Sequence, residues 1–197
     1  MSEADLRRRL LAALAQPGDG SSDFDLVAEK PPFAAPRPAG VLAALRPDGR
    51  MILTRRASGL RHHPGQIALP GGKVDPGDAD PTAAALREAH EEIGLPPGRV
   101  EILGTLPPHL TVTGFSMVPV LGLIDGDFTP VPEAGEVAEA FAVPLDHIAD
   151  LSNYRIERRL WRGDWRPYRV APWGPYYIWG ATARVLYGLA QRLRAAG

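Results

Sequence analysis

Three glutamates, Glu88, Glu91 and Glu92, stand in one short stretch that ends just before Gly94. If this stretch is helical, Glu88 shares a face with the other two, and each pair of like charges costs about 0.2–0.5 kcal/mol. The C-terminal end of a helix, with its unpaired carbonyls, also disfavours carboxylates. Hard oxygen ligands that face one way suit Mg²⁺ or Mn²⁺. The spacing therefore predicts a divalent metal site, with Glu88 and Glu92 as primary ligands and Glu91 beside them.

The alternative is a solvated helix face on which Arg87 pairs with Glu91 one turn later. The segment before the helix favours the metal site, because "LPGGKVDPGDADP" is a long Gly-rich loop that leads into the same helix. Gly71 and Gly72 in this loop would let the backbone approach a metal or a phosphate closely, where a β-carbon would obstruct it. Loop and helix together are therefore expected to form the reactive site.

The elements that must hold this site have clear signals. Asp80 is a suitable N-cap, Pro81 suits the first helical position and Gly94 suits a left-handed helix end, so a helix is predicted from about Pro81 to Ile93. Hairpins are predicted over 40–56 and 154–170, with strands near 66–69, 99–106, 116–124 and 136–145. Residues 1–197 are expected to form one mixed α/β domain, with an N-terminal helix at about 2–16 and a C-terminal helix at about 178–195.

Composition excludes several functional classes. The formal net charge is −1, so no basic field indicates nucleic acid or a membrane surface as a partner. The 197-residue chain contains no cysteine, which excludes disulfides, thiolate catalysis and Cys-ligated metal centres. No apolar run approaches the roughly 18 residues that span a bilayer. A cytoplasmic protein that acts on a small molecule is expected, and the sequence leaves its oligomeric state open.

The stretch "GGKVDPGDADPTAAALREAHEEIGL" resembles the signature of the Nudix hydrolases. The family pattern has a Gly, an acid six positions later, and then Arg-Glu and Glu-Glu before a Gly. This sequence departs from it in having Asp instead of Glu at position 78, one extra residue before Arg87, and the small Ala89 where a large apolar residue is usual. The matching positions are Gly72, Asp78, Arg87, Glu88, Glu91, Glu92, Gly94 and Leu95.

This resemblance implies the Nudix fold, an α/β/α sandwich with a mixed β-sheet. It also implies metal-dependent hydrolysis of the pyrophosphate in a nucleoside diphosphate that is linked to another group. In this reaction Arg87 is expected to orient the glutamates by charge-assisted hydrogen bonds.

Residues 53–80, "LTRRASGLRHHPGQIALPGGKVDPGDAD", are similar to the coenzyme A pyrophosphatase subfamily in particular. The upstream matches are Arg55, Leu60, Arg61, His63, Gly65 and Gln66. The similarity implies cleavage of coenzyme A, with its thioesters or oxidised form as further substrates, to 3′,5′-ADP and 4′-phosphopantetheine. The guanidinium groups at 55, 56 and 61 suit the 3′-phosphate. The implied substrate-binding residues are Arg55, Arg56, Arg61, His63, Gln66, Gly71 and Gly72.

Two questions stay open at the level of sequence. The general base could be Glu88, or it could be Glu136 or Glu139 from the later loop and strand. The substrate could instead be ADP-ribose, a dinucleoside polyphosphate or a damaged nucleotide, and a catalytically silent nucleotide-binding module is a further alternative. The predicted catalytic set is Glu88, Glu91, Arg87 and Glu136.

Overall fold

The computed structural model describes residues 1–27, 31–161 and 163–197, which form four α-helices and eleven strands. The helices are α1 (Glu3–Leu14), α2 (Pro81–Ile93), α3 (Leu145–Ala149) and α4 (Gly180–Ala195). The strands are β1 (Ser21–Ser22), β2 (Arg37–Leu45), β3 (Arg50–Arg56), β4 (Ile67–Ala68), β5 (Gly71–Lys73), β6 (Val100–Thr105), β7 (His109–Leu110), β8 (Phe115–Ile124), β9 (Val137–Pro144), β10 (Arg155–Trp161) and β11 (Asp164–Val170). Short 3₁₀ turns span Pro97–Arg99 and Leu151–Asn153.

Nine of these strands form one mixed sheet. At its centre β2 and β8 run parallel, in register from Arg37 opposite Phe115 to Leu45 opposite Leu123. Antiparallel neighbours extend the sheet on both sides: β3, β4 and β9 beyond β2, and β6 and β7 along β8. Strand β5 pairs with the first half of β2. The remaining strands, β10 and β11, form a separate antiparallel hairpin.

The side chains of β2 alternate between the two faces of the sheet, and helices pack against both faces. Leu42 and Ala44 pack with the buried side of α2. Val41, Ala43 and Leu45 point to the other face and join a second core with α1, α3 and α4. The predicted α/β/α sandwich with a mixed sheet is thereby confirmed.

Helix α2 has the bounds that its capping residues predict. The Asp80 side chain accepts a hydrogen bond from the Ala83 N–H at 2.8 Å, and Gly94 ends the helix with φ at 69°. A β-carbon on Gly40 would lie 1.8 Å from the Pro81 carbonyl oxygen, so the start of α2 rests directly on the backbone of β2. This contact fixes α2 against the central strand and so sets how far its glutamates lie from the sheet.

The other sequence-predicted elements also form. The first hairpin turns at Gly49, where φ is 78°, and the arginine-rich hairpin pairs Arg155 opposite Val170 through to the turn. The terminal helices begin and end within two or three residues of the expected positions, with Ser2 capping α1. Within the part of the chain that the structure describes, no helix is long and apolar enough to cross a membrane.

Candidate active site

Arg87 is the centre of the hydrogen-bonded network between the Gly-rich loop and α2. Its Nε and Nη2 each donate to one carboxylate oxygen of Asp78, both at 3.0 Å, which is a bidentate pair. Its Nη1 donates to Glu88 and to Glu91, also at 3.0 Å. The Asp78 side chain is 5% exposed, and the hydrogen bonds from Arg87 lower the pKa of its carboxyl. Asp78 therefore fixes the guanidinium of Arg87, and this guanidinium in turn binds the carboxylates of Glu88 and Glu91.

Glu88 lies directly under the backbone of β5. A β-carbon on Gly72 would fall 2.4 Å from the Glu88 Oε1, a distance that real β-carbons do not show. The carboxylate can occupy its position only because residue 72 has no side chain. Burial raises the pKa of Glu88, against the opposing effect of Arg87.

Glu92 is the most deeply buried of the three glutamates, with 4% of its side chain exposed. Its Oε2 accepts a hydrogen bond from the Gly71 N–H at 3.1 Å, and its Oε1 lies 3.9 Å from the Arg56 Nη1. Burial raises the pKa of Glu92 to about 7, and the charge of Glu88 acts in the same direction. Gly71 itself has φ at 151°, and a β-carbon there would lie 2.3 Å from the Gly40 carbonyl oxygen.

Glu91 lies on the outer side of the site, and its side chain is 56% exposed. Across residues 1–27, 31–161 and 163–197, no three His, Cys, Asp or Glu side chains stand in a ready arrangement for an ion. Arg87 binds one oxygen of Glu88 and one oxygen of Glu91.

The residues nevertheless fit a divalent cation. Their donors are hard oxygens, and two carboxyls are held in partly or fully buried positions at a cost that positive charge would relieve.

Glu136 and Glu139, the two other base candidates, have different surroundings. Glu136 is exposed just before β9, and its charge adds to the effect of burial in raising the pKa of Glu88 and Glu92. Glu139 is engaged on both oxygens: it lies 3.0 Å from the Arg55 Nη2 and accepts a hydrogen bond from the Tyr176 hydroxyl at 2.5 Å. The charge of Glu136 therefore acts on the glutamate cluster, whereas Arg55 and Tyr176 bind the carboxylate of Glu139.

The remaining candidate substrate-binding residues lie either beside Glu92 or in the loop between β3 and β4. Arg56 reaches toward Glu92, and its buried Nε has no hydrogen-bond partner among the residues that the structure describes. Arg61 and His63 are exposed in the loop between β3 and β4, where His63 has φ at 54°. Although His63 is exposed, partial desolvation of its imidazole lowers the pKa, and the charge of Arg56 acts in the same direction. Gln66 closes this loop by accepting a backbone hydrogen bond from Arg56 at its carbonyl.

Comparison with known families decides the assignment. A model of the NUDIX domain matches residues 35–162, well over half of the chain. The chain belongs to the Nudix family. It is 44% identical over 159 residues to a protein of Enterobacter sp. (strain 638) that bears the name "uncharacterized Nudix hydrolase NudL", covering 80% of this chain and 83% of that relative. The protein of the same name in Escherichia coli (strain K12) is 40% identical over the same coverage.

The Nudix fold is also shared with a solved MutT/nudix family protein from Enterococcus faecalis. That similarity has a TM-score of 0.51 at 18% identity and covers 85% of this chain and 65% of that one. As a Nudix hydrolase, the protein acts on a pyrophosphate-containing small molecule, and enzymes of this family generally use divalent metal ions.

The departures from the usual Nudix signature have a visible structural basis. Asp78 reaches Arg87 in a bidentate pair although its side chain is shorter than that of Glu. Ala89 is fully buried where α2 packs against the sheet. Sequence reasoning missed Tyr176, which stacks on Phe141 with ring centroids 3.5 Å apart and reaches Glu139. No spacing signal could have revealed it, since Tyr176 and Glu139 lie on distant segments.

Proposed function

We propose that this Nudix hydrolase cleaves the pyrophosphate bond of coenzyme A and gives 3′,5′-ADP and 4′-phosphopantetheine. The observation that carries the proposal is the contact between the two halves of the site. Arg56, from the segment that resembles coenzyme A pyrophosphatases, lies 3.9 Å from Glu92 of the Nudix helix. A substrate held by the loop between β3 and β4 would therefore have its phosphates beside the glutamates.

Glu88 and Glu92 would hold a divalent cation, Mg²⁺ or Mn²⁺, with Glu91 as a third ligand or a partner of bound water. When bound, such a cation neutralises phosphate oxygens, positions the attacking water and stabilises the leaving phosphate. The buried carboxyls supply this site at the cost of raised pKa values, which is a common sign of functional residues.

The remaining residues would position the reactants. Arg87, fixed by Asp78, holds the carboxylates in place, and its guanidinium is not available as a proton donor because hydrogen bonding raises its pKa further. Gly71 and Gly72 present backbone beside the glutamates with no side chain in the way. Arg56 is suited to a phosphate oxygen because its guanidinium lies beside Glu92 while its side chain stays 28% exposed.

We assign the general base to Glu136. Its carboxylate is exposed, its charge helps to raise the pKa of Glu88 and Glu92, and it stands immediately before β9. Glu139 is disfavoured as a base because Arg55 and Tyr176 both bind its carboxylate. A base must have an accessible lone pair within hydrogen-bond reach of the water it deprotonates.

The substrate is tested with a panel of pyrophosphates in the presence of Mg²⁺ or Mn²⁺. Coenzyme A, acetyl-coenzyme A, ADP-ribose and diadenosine tetraphosphate are each incubated with the protein, and the products are separated by chromatography. Release of 3′,5′-ADP, with coenzyme A giving the highest kcat/KM, is expected. Faster hydrolysis of ADP-ribose than of coenzyme A would contradict coenzyme A as the preferred substrate but would still support pyrophosphatase activity. Absence of metal-dependent hydrolysis from the whole panel would indicate a silent nucleotide-binding module.

A further inference from the structure

Three side chains outside the glutamate cluster form a second hydrogen-bonded chain. The Ser21 Oγ lies 2.9 Å from the His109 Nδ1, and the His109 Nε2 lies 3.2 Å from the Asp23 Oδ1. The parallel pairing of β1 with β7 sets this contact, because Ser21 stands opposite His109 in the register. The other carboxylate oxygen of Asp23 accepts a hydrogen bond from the Val112 N–H at 2.8 Å. The carboxylate is therefore itself held in place.

The chemistry of the partners gives each ring nitrogen a role. An ionised carboxylate only accepts hydrogen bonds, so in the neutral imidazole the Nε2 carries the hydrogen and donates it to Asp23. The Nδ1 lone pair then faces Ser21, whose hydroxyl donates to it. A serine, a base within hydrogen-bond reach and a carboxylate that orients the base are the parts that activate a nucleophile. Compared with serine proteases, the two ring nitrogens exchange positions.

The surroundings of Ser21 allow a substrate to reach it. His109 is completely buried, whereas Ser21 is partly exposed and lines a cleft of about 720 Å³ between residues 16–21 and α4. This volume lies within the roughly 300–1,000 Å³ that is usual for small-molecule sites. The charged residues of the cleft balance, with Arg184 and Arg192 against Asp19 and Asp25, and Arg184 pairs directly with Asp25. The cleft therefore fits a small uncharged group better than a polyphosphate.

We propose that Ser21 is the nucleophile of a second, metal-independent site that hydrolyses small carboxylic esters. The Ser21 proton passes to the His109 Nδ1 while Oγ bonds to the carbonyl carbon of the ester. The bond from this carbon to the alcohol oxygen then breaks, and the alcohol leaves with the proton. Water attacks the acylated Ser21, which releases the carboxylic acid and restores the hydroxyl. The proposal shares no residue with the pyrophosphatase site.

The test uses the full chain in EDTA, with p-nitrophenyl acetate as substrate and a fluorophosphonate as covalent probe. Mass spectrometry of the labelled protein is expected to find the adduct on Ser21, formed with loss of fluoride. Ser21→Ala should lower ester hydrolysis by about 10²-fold or more, because the hydroxyl that His109 would activate is lost. Ser22→Ala is the matched control, because the Ser22 Oγ bonds the Leu110 carbonyl and not the imidazole. It should react as the wild type does.

Two further measurements separate this site from its alternatives. Asp23→Asn can still accept from Val112 but no longer fixes the ring as the carboxylate does, so ester hydrolysis should fall at least tenfold while the thermal midpoint shifts little. Labelling should persist in Glu92→Gln, whatever substrate the Nudix site takes. The proposal would be overturned if the wild-type protein carried no adduct on Ser21, or if Ser21→Ala hydrolysed the ester as fast as the wild type. The hydrogen bonds among Ser21, His109 and Asp23 would then have a structural role alone.

Discussion

A β-carbon placed on Gly72 would meet the Glu88 carboxylate at 2.4 Å from its Oε1 and 2.5 Å from its Cδ. Strand β5 and helix α2 are thus packed so closely that the Glu88 carboxylate occupies the space that a side chain at position 72 would fill. Glu88 cannot keep its present rotamer beside any residue other than glycine at position 72.

Replacement of Gly72 by alanine should therefore displace Glu88 and reduce metal-dependent turnover by at least ~10-fold, since small misplacements at a reactive site cost about that much or more. The measurement is kcat with the preferred substrate, together with Mn²⁺ binding by calorimetry. Gly77→Ala in the same loop is the control, because a β-carbon there meets no atom of the described residues within 4 Å. Equal turnover by Gly72→Ala and Gly77→Ala would mean that the position of Glu88 has no role in catalysis.

Asp78→Asn should weaken the hold on Arg87. The bidentate pair lies on a carboxylate that is almost fully buried, and hydrogen bonds to charged groups contribute roughly 1.5–3 kcal/mol. We expect a loss of stability of that order in urea unfolding and a lower kcat with little change in KM. Asp75→Asn is the comparison, since its carboxylate lies at 3.7 Å from Arg87 and is 38% exposed. If the two variants unfold at the same urea concentration, Asp78 is not the support of Arg87.

Glu88→Gln and Glu92→Gln should each lower turnover by at least ~10²-fold, the scale of losing one strong electrostatic stabiliser. The fold should persist, because a glutamine at position 92 can still accept from the Gly71 N–H. Without metal, both variants are expected to melt at a higher temperature than the wild type, since each removes a buried repelling charge. Near-normal Mg²⁺-dependent rates in both would remove these residues from the site.

The stability of the metal-free protein should depend on pH through Glu92. Its pKa is about 7 in the folded protein, above the ordinary value of 4.5, so the folded state binds this proton more tightly than the unfolded state. The resulting stabilisation is complete below about pH 4.5 and is lost as the pH rises to about 7, by roughly 3 kcal/mol at 1.36 kcal/mol per pKa unit. Urea unfolding in EDTA between pH 5 and 8 measures it.

The Glu92→Gln variant provides the reference for this measurement. The difference in unfolding free energy between wild type and variant should change with pH in that window, because other titrating groups contribute to both proteins alike. A difference that stays constant from pH 5 to pH 8 would show that Glu92 titrates normally.

Coenzyme A should be cleaved about 10- to 100-fold more efficiently than dephospho-coenzyme A, which corresponds to one charge-assisted hydrogen bond to the 3′-phosphate. Arg61→Gln should shrink this ratio selectively, since Arg61 is exposed in the loop between β3 and β4. Arg55→Gln should shrink it less, because Glu139 already binds Arg55. Arg46→Gln, in the turn of the first hairpin, is the control. Equal kcat/KM for the two substrates would defeat the 3′-phosphate argument.

How much the sequence could predict depends on the range of each interaction. Helix α2 was predictable to the residue because Asp80, Pro81 and Gly94 act within one turn of its ends. The bidentate pair of Asp78 with Arg87 was not, since it depends on how the intervening loop folds back. The pairing of Ser21 with His109 was equally hidden, because only the tertiary fold brings β1 beside β7.

The parallel pairing of β2 with β8 has a consequence for the order of folding. The two central strands are joined in register by residues such as Arg37 and Phe115, which are far apart along the chain, and closing so long a loop costs entropy before any contact repays it. The hairpin of β2 and β3 and the packing of α2 on β2 need only nearer residues. During synthesis the nascent chain can therefore assemble these local parts first, but the middle of the sheet must wait until Ile124 has left the ribosome.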